Sequence, residues 1–145
     1  MNEKQIQTLV SGVVATGAIS AYYYLIDQLG VEVAAPWRMI EYLINVSLFW
    51  GWVFHLCVGL IFTWIYRKGI SLGLRKIRNL LLRGLAYGFI VFVISEVVIG
   101  LLDFDLGMTI GYQIVSMGVL FLGDLIFGIF IGLMVPPRNF HIHNN

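Results

Sequence analysis

One cysteine, three prolines, three histidines and a charged fraction of 12% are the scarcities of this 145-residue chain, and each removes a class of protein. Cys57 has no second cysteine with which to form a disulfide, a paired-thiol redox centre or a zinc site within one chain. Charge is balanced as well as scarce. Nine Lys and Arg against eight Asp and Glu leave a formal net charge of +1, which gives no electrostatic basis for a nucleic-acid partner. Proline occurs only at Pro36, Pro136 and Pro137, so the long stretches between are free of the residue that most often breaks a helix. With 59% hydrophobic residues, a chain this short cannot enclose its apolar side chains in a water-soluble core.

What is present is apolar sequence in four long runs, residues 6–29, 42–66, 80–102 and 108–135. Each matches or exceeds the ~20 residues that a helix needs to cross a bilayer. A membrane strand would alternate apolar and polar residues over about ten positions. Unbroken apolar runs fit only the α-helix, which satisfies every backbone group internally. The pattern predicts an all-α integral membrane four-helix bundle built from two helical hairpins, a single domain over 1–135 with a polar tail at 136–145. The first run is longer than the ~7–15 residues of a signal-peptide core, so it is expected to remain as the first helix.

Orientation follows from the basic residues. The link between the second and third runs, with the start of the third, carries Arg67, Lys68, Arg75, Lys76, Arg78 and Arg83, six of the nine positive charges, and no acid. That side is expected to be cytoplasmic, in contact with lipid headgroups. Both termini then share it, with Lys4 before the first run and Arg138 after the last. The opposite side is acidic, holding Asp27, Glu32, Glu41, Asp103 and Asp105 with Arg38 as its one base. Its first connection, Gly30 to Glu41, predicts a short interfacial segment anchored by Trp37 and interrupted by Pro36. His141 and His143 in the tail are too few ligands to define a metal site.

Ionisable residues inside apolar runs are costly and face protein or water rather than lipid. Three lie well inside the runs, His55, Glu96 and Asp124, while Asp27 belongs at the outer interface and Arg83 at the start of the third run. His55 lies eleven residues before Tyr66 and Asp124 eleven before Val135, which puts both about 16 Å from the cytoplasmic helix ends at a ~1.5 Å rise. Each sits on a stripe of small residues, Gly51, His55 and Gly59 in one run and Asp124, Gly128 and Gly132 in the other. Gly84 and Gly88 on the third run and Gly12 on the first add similar stripes. Small residues at this spacing mark close helix packing, and the expected centre is small and polar. A shift of 69 residues places His55 over Asp124, Gly59 over Gly128, Ala15 over Gly84 and Asp27 over Glu96, the pattern of a parallel repeat with a polar site between its halves.

Two readings of His55, Asp124 and Glu96 stand side by side. One is a hydrogen-bonded carboxylate and imidazole that fix helix register; the other is a proton or cation site. Haem ligation by histidine would need a second intramembrane histidine, which only a second copy supplies. Ser47, Ser95 and Ser116 have no spacing that marks a nucleophile, and no HExxH motif is present, so no catalytic constellation assembles.

The pattern Gly12-Val-Val-Ala-Thr16-Gly17, His55-xxx-Gly59-xx-Phe62-xxx-Tyr66, Gly84-xx-Tyr87-Gly88 and the glycine-rich end of the fourth run resemble small four-span prokaryotic membrane proteins of the uncharacterised YagU-like type. The resemblance implies a four-helix membrane protein with no assigned activity. The expectation is a multi-pass protein of the prokaryotic cytoplasmic membrane, with no cofactor and no metal. It would act as a non-catalytic interaction or accessory subunit, or a homo-oligomer, among membrane lipids. The alternative is a small proton- or cation-coupled transporter or channel.

Overall fold

The computed structural model describes residues 3–31, 33, 35–101 and 110–135, with their side chains except at 72, 75 and 110–112. Glu32, Asp103, Asp105 and the 136–145 tail with Pro136, Arg138, His141 and His143 lie outside the described residues, as does the Arg75 side chain. Among the described residues the chain is helical and has no strand. Helix α1 spans Glu3–Gln28, α2 Pro36–Ile44, α3 Leu48–Ile65, α4 Leu80–Leu101 and α5 Ile110–Met134. A π-helical turn, Tyr66–Ile70, continues α3, and short turns carry the chain to Lys76. Four helices are long and apolar enough to cross a membrane: α1, α3 with its π-turn, α4 and α5. Their outward faces carry Leu25, Phe49, Trp64, Leu101 and Ile114, large apolar side chains that a lipid environment accommodates and water does not.

The apolar run expected over 42–66 is divided. Residues 36–44 form their own helix, started by Pro36 at its first turn, where proline's fixed φ helps and its missing N–H costs nothing. That helix ends at Asn45, whose left-handed backbone (φ 48°) turns the chain before Ser47 and α3. Pro36 therefore opens a helix, and Trp37, expected as an interfacial anchor, is buried. At the other end, the Asn79 side-chain oxygen accepts hydrogen bonds from the Leu81 and Leu82 N–H groups, at 2.9 and 3.2 Å, and caps α4.

Across the bundle the spanning helices run in the order α3, α1, α5, α4. The tightest contact is between α4 and α5, and glycine makes it possible. A β-carbon on Gly88 would stand 2.5 Å from the Asp124 carbonyl oxygen and 2.7 Å from the Leu125 Cα; one on Gly84 would stand 2.7 Å from the Gly128 carbonyl oxygen. Gly128 and Gly132 are pressed equally hard against Gly84. On the other side, Gly12 packs against Leu60 and Thr63, and Gly59 against Thr16, joining α1 to α3. Gly51 admits the Trp37 carbonyl and so seats α2 on α3. The glycine stripes thus form separate seams and do not converge on one small, polar centre. In lipid, where burial of apolar surface adds little between helices, such backbone contact is a main source of association.

At the basic end, α1 is tied to its neighbours by polar contacts. The Gln7 amide donates to the Met134 carbonyl at 2.9 Å, and Arg67 hydrogen-bonds the Thr8 hydroxyl. Lys68 lies over the Trp64 ring at 5.4 Å. Arg83, expected among the headgroup-facing bases, is 1% exposed instead, because it lies on the same side of α4 as Gly84 and Tyr87 and is enclosed with them.

Gly88→Ala should destabilise the fold by about 1–3 kcal/mol through overpacking. Gly118→Ala, where a β-carbon meets nothing within 4 Å, should be neutral or stabilising. Thermal melting of the two purified variants beside wild type checks the contrast.

Candidate functional site

Because α3 packs on α1 and α2 but hardly on α4, the bundle is not closed all round. The exception is a clamp at the basic end. The Tyr87 hydroxyl on α4 donates to the Phe62 carbonyl on α3 at 2.6 Å, and the Tyr66 and Tyr87 rings lie 4.7 Å apart. The local backbone prepares this contact. Where the π-turn begins, the Tyr66 N–H is shared between the Phe62 and Thr63 carbonyls, which leaves the Phe62 oxygen able to accept a second donor. Arg83 is enclosed beside Tyr66, its guanidinium within electrostatic range of the phenol. Tyr66, Tyr87 and Arg83 together form a plug with almost no exposed surface.

Beyond the plug the two helices part, and a cavity of about 410 Å³ opens between them. Its walls are apolar for the most part, with Val58 and Phe62 from α3 facing Val91, Ile94 and Val98 from α4. Helix α2 covers the far end with Pro36, Met39, Ile40 and Leu43. Trp37 holds that cover down. It stacks on Trp52 at 4.0 Å and 14°, meets Tyr23 edge-on at 5.9 Å, and lies 5.7 Å from the His55 ring.

The polar lining is small in area and unusual in its bonding. His55 and Asp124 both line the cavity, and each is about nine-tenths buried, at 8% and 9% exposure. Among the described residues the His55 Nε2 makes no hydrogen bond, so it does not form the register-fixing pair with Asp124. The His55 Nε2 has no partner, and neither have the Thr16 and Tyr23 hydroxyls, which line the same space from α1. Buried polar atoms in proteins nearly always have partners, and three that have none among the described residues belong to side chains lining this cavity, free to meet a guest. Glu96 is half-buried one residue past the cavity-lining Ser95, and it is within electrostatic range of Asp124 and Tyr23. Among the described residues, no Lys or Arg lines the cavity.

Sequence reasoning therefore names three residues in or beside the cavity and places Thr16 on the packed stripe of the first helix, but misses Tyr23 and the α2 cover. Thr16 and Tyr23 are seven residues apart, two turns of one helix face, a spacing that was visible in the sequence. The folding back of α2 had no comparable signal. The six basic residues do not act as one group: Arg67 is bonded to Thr8, Arg83 is internal, and Lys76 and Arg78 are exposed or nearly so. Among the described residues, no group of three or more His, Cys, Asp or Glu side chains could hold a metal ion.

No protein-family model matches the chain, and no curated protein or solved structure matches it either. The cavity's chemistry must be argued from the residues themselves.

Tyr87→Phe removes the hydrogen bond to the Phe62 carbonyl that clamps α4 to α3 at the plug. It should lower stability by about 0.5–1.5 kcal/mol, the net contribution of a typical hydrogen bond. A melting comparison with wild type in the same detergent gives the answer.

Proposed function

We propose that the chain is a non-catalytic accessory protein of a prokaryotic cytoplasmic membrane, and that it binds a membrane-soluble guest in the cleft between α3 and α4. The observation that carries this reading is the cavity itself, about 410 Å³, apolar, and edged by polar groups that the chain does not satisfy. Binding sites for small molecules have this composition, a mostly apolar wall with a few placed polar atoms. The concentration of bases around the link after α3 supports placing that end, and both termini, in the cytoplasm. Depth then favours entry from the lipid, since the opening lies between two membrane-spanning helices. The glycine seams are consumed by contacts within the chain, which favours a guest in the cleft over a partner helix docked on those stripes. The YagU-like resemblance is consistent with a four-span accessory protein and adds no activity.

Transport of protons or cations is the second reading, and the carboxylate of Asp124 favours it. A route through one chain would have to pass the Tyr66, Tyr87 and Arg83 plug, all of it buried. Flux measurements on reconstituted vesicles separate the two. The binding reading predicts that proton and alkali-cation leak matches that of protein-free vesicles. A gradient-driven flux that disappears in Asp124→Asn would replace it with the transport reading.

A further inference from the structure

The cleft also carries information about the sign of its guest. Asp124 presents its carboxyl group to a cavity that no Lys or Arg lines among the described residues, and Glu96 adds a second acid within electrostatic range. The only nearby base among the lining residues is the His55 imidazole, which makes no ion pair with Asp124. A buried carboxylate without a counter-charge is expensive and either takes up a proton or meets a cation; a guest that carries the positive charge supplies the second. The other lining groups agree. The rings of Tyr23, Phe62 and Phe127 line the same space, and aromatic faces attract cations, more strongly once water is excluded. The unpartnered Thr16 and Tyr23 oxygens and the His55 Nε2 can all accept hydrogen bonds from a donor group, the last in its neutral form with the proton on Nδ1. The remaining wall, from Val58, Ile94 and Val98 to Met39 and Leu43, needs an apolar body.

We propose that the cleft is a site for a lipophilic organic cation, a molecule of drug-like size with an apolar or aromatic body and one positive charge placed against Asp124. The inference rests on the cleft being a binding site and adds the charge of what it binds. A hydrated metal ion is disfavoured, because the wall offers too few oxygen ligands to replace its water. An anionic amphiphile would meet two acidic side chains and, among the described lining residues, no Lys or Arg to offset them. A neutral amphiphile would leave Asp124 to lose its charge by taking up a proton and would gain nothing from the carboxylate.

Tetraphenylphosphonium and tetraphenylborate test this directly, since they share size and shape and differ in the sign of charge. With the protein in nanodiscs, the phosphonium should bind by calorimetry, with the borate weaker by about tenfold or more. Asp124→Asn should weaken phosphonium binding by about tenfold or more, whereas Glu3→Gln, exposed and far along α1 from the cleft, should not. A wild-type measurement guards against a variant that fails to fold. A membrane-soluble carbodiimide should label Asp124, and phosphonium, not borate, should protect it. Equal binding of the two ions, a preference for borate, or labelling of Asp124 that phosphonium leaves unchanged would overturn the cation assignment while leaving a binding cleft. Binding of neither ion would overturn the assignment and the binding reading together.

Discussion

The contact on which the rest of this molecule depends is the meeting of bare backbone between α4 and α5. In water, apolar burial would draw these helices together whatever their residues; in lipid the tails are as apolar as leucine, and close packing must supply the attraction. Gly84 and Gly88 on one helix and Gly128 and Gly132 on the other remove the side chains that would hold the backbones apart. With α4 committed to α5, and α5 also packed on α1, α3 is left to pack on α1 and α2 alone. The opening between α3 and α4 is therefore a consequence of where the glycines are.

This geometry also bears on the 69-residue internal correspondence. A pseudo-twofold relating the two hairpins would carry α1 onto α4 and α3 onto α5, so the packed α1–α5 contact would have a counterpart between α4 and α3. That counterpart is the cleft. His55 and Asp124, which the correspondence superimposes, line it from two different helices. The two hairpins therefore do not pack equivalently: α1 meets α5, whereas α3 meets α4 chiefly at the clamp of Tyr87 on the Phe62 carbonyl. The inserted helix α2 has no equivalent among the described residues, and it covers the cleft's far end.

The parts of this account that were legible in the sequence are those set by long-range composition. Apolar runs longer than twenty residues give the helices, and their four-residue glycine spacing gives faces able to pack closely. His55 and Asp124 could be placed at matching depth by counting residues from the helix ends. What one helix cannot reveal is its partner. The stripes of α3 and α5 look alike in sequence, yet Gly59 meets a threonine on α1 while Gly128 meets glycine on α4. The fate of α2 was hidden for a related reason: Pro36 is as compatible with a break as with a helix start, and only the contact of the Trp37 carbonyl with Gly51 decides. Arg83 was misplaced because a count of basic residues says nothing about which way each one faces.

The central claim is that α3 and α4 meet at the plug and stand apart beyond it. Val58 and Ile94 line the cavity from those two helices, and a disulfide forms only where Cα atoms come within roughly 7 Å. The most direct measurement is oxidation of a Val58→Cys/Ile94→Cys protein in native membranes, with Cys57 replaced by serine. The account predicts no direct disulfide and ready bridging by a longer bis-maleimide. Rapid, near-complete disulfide formation would place the helices in contact and contradict the cleft.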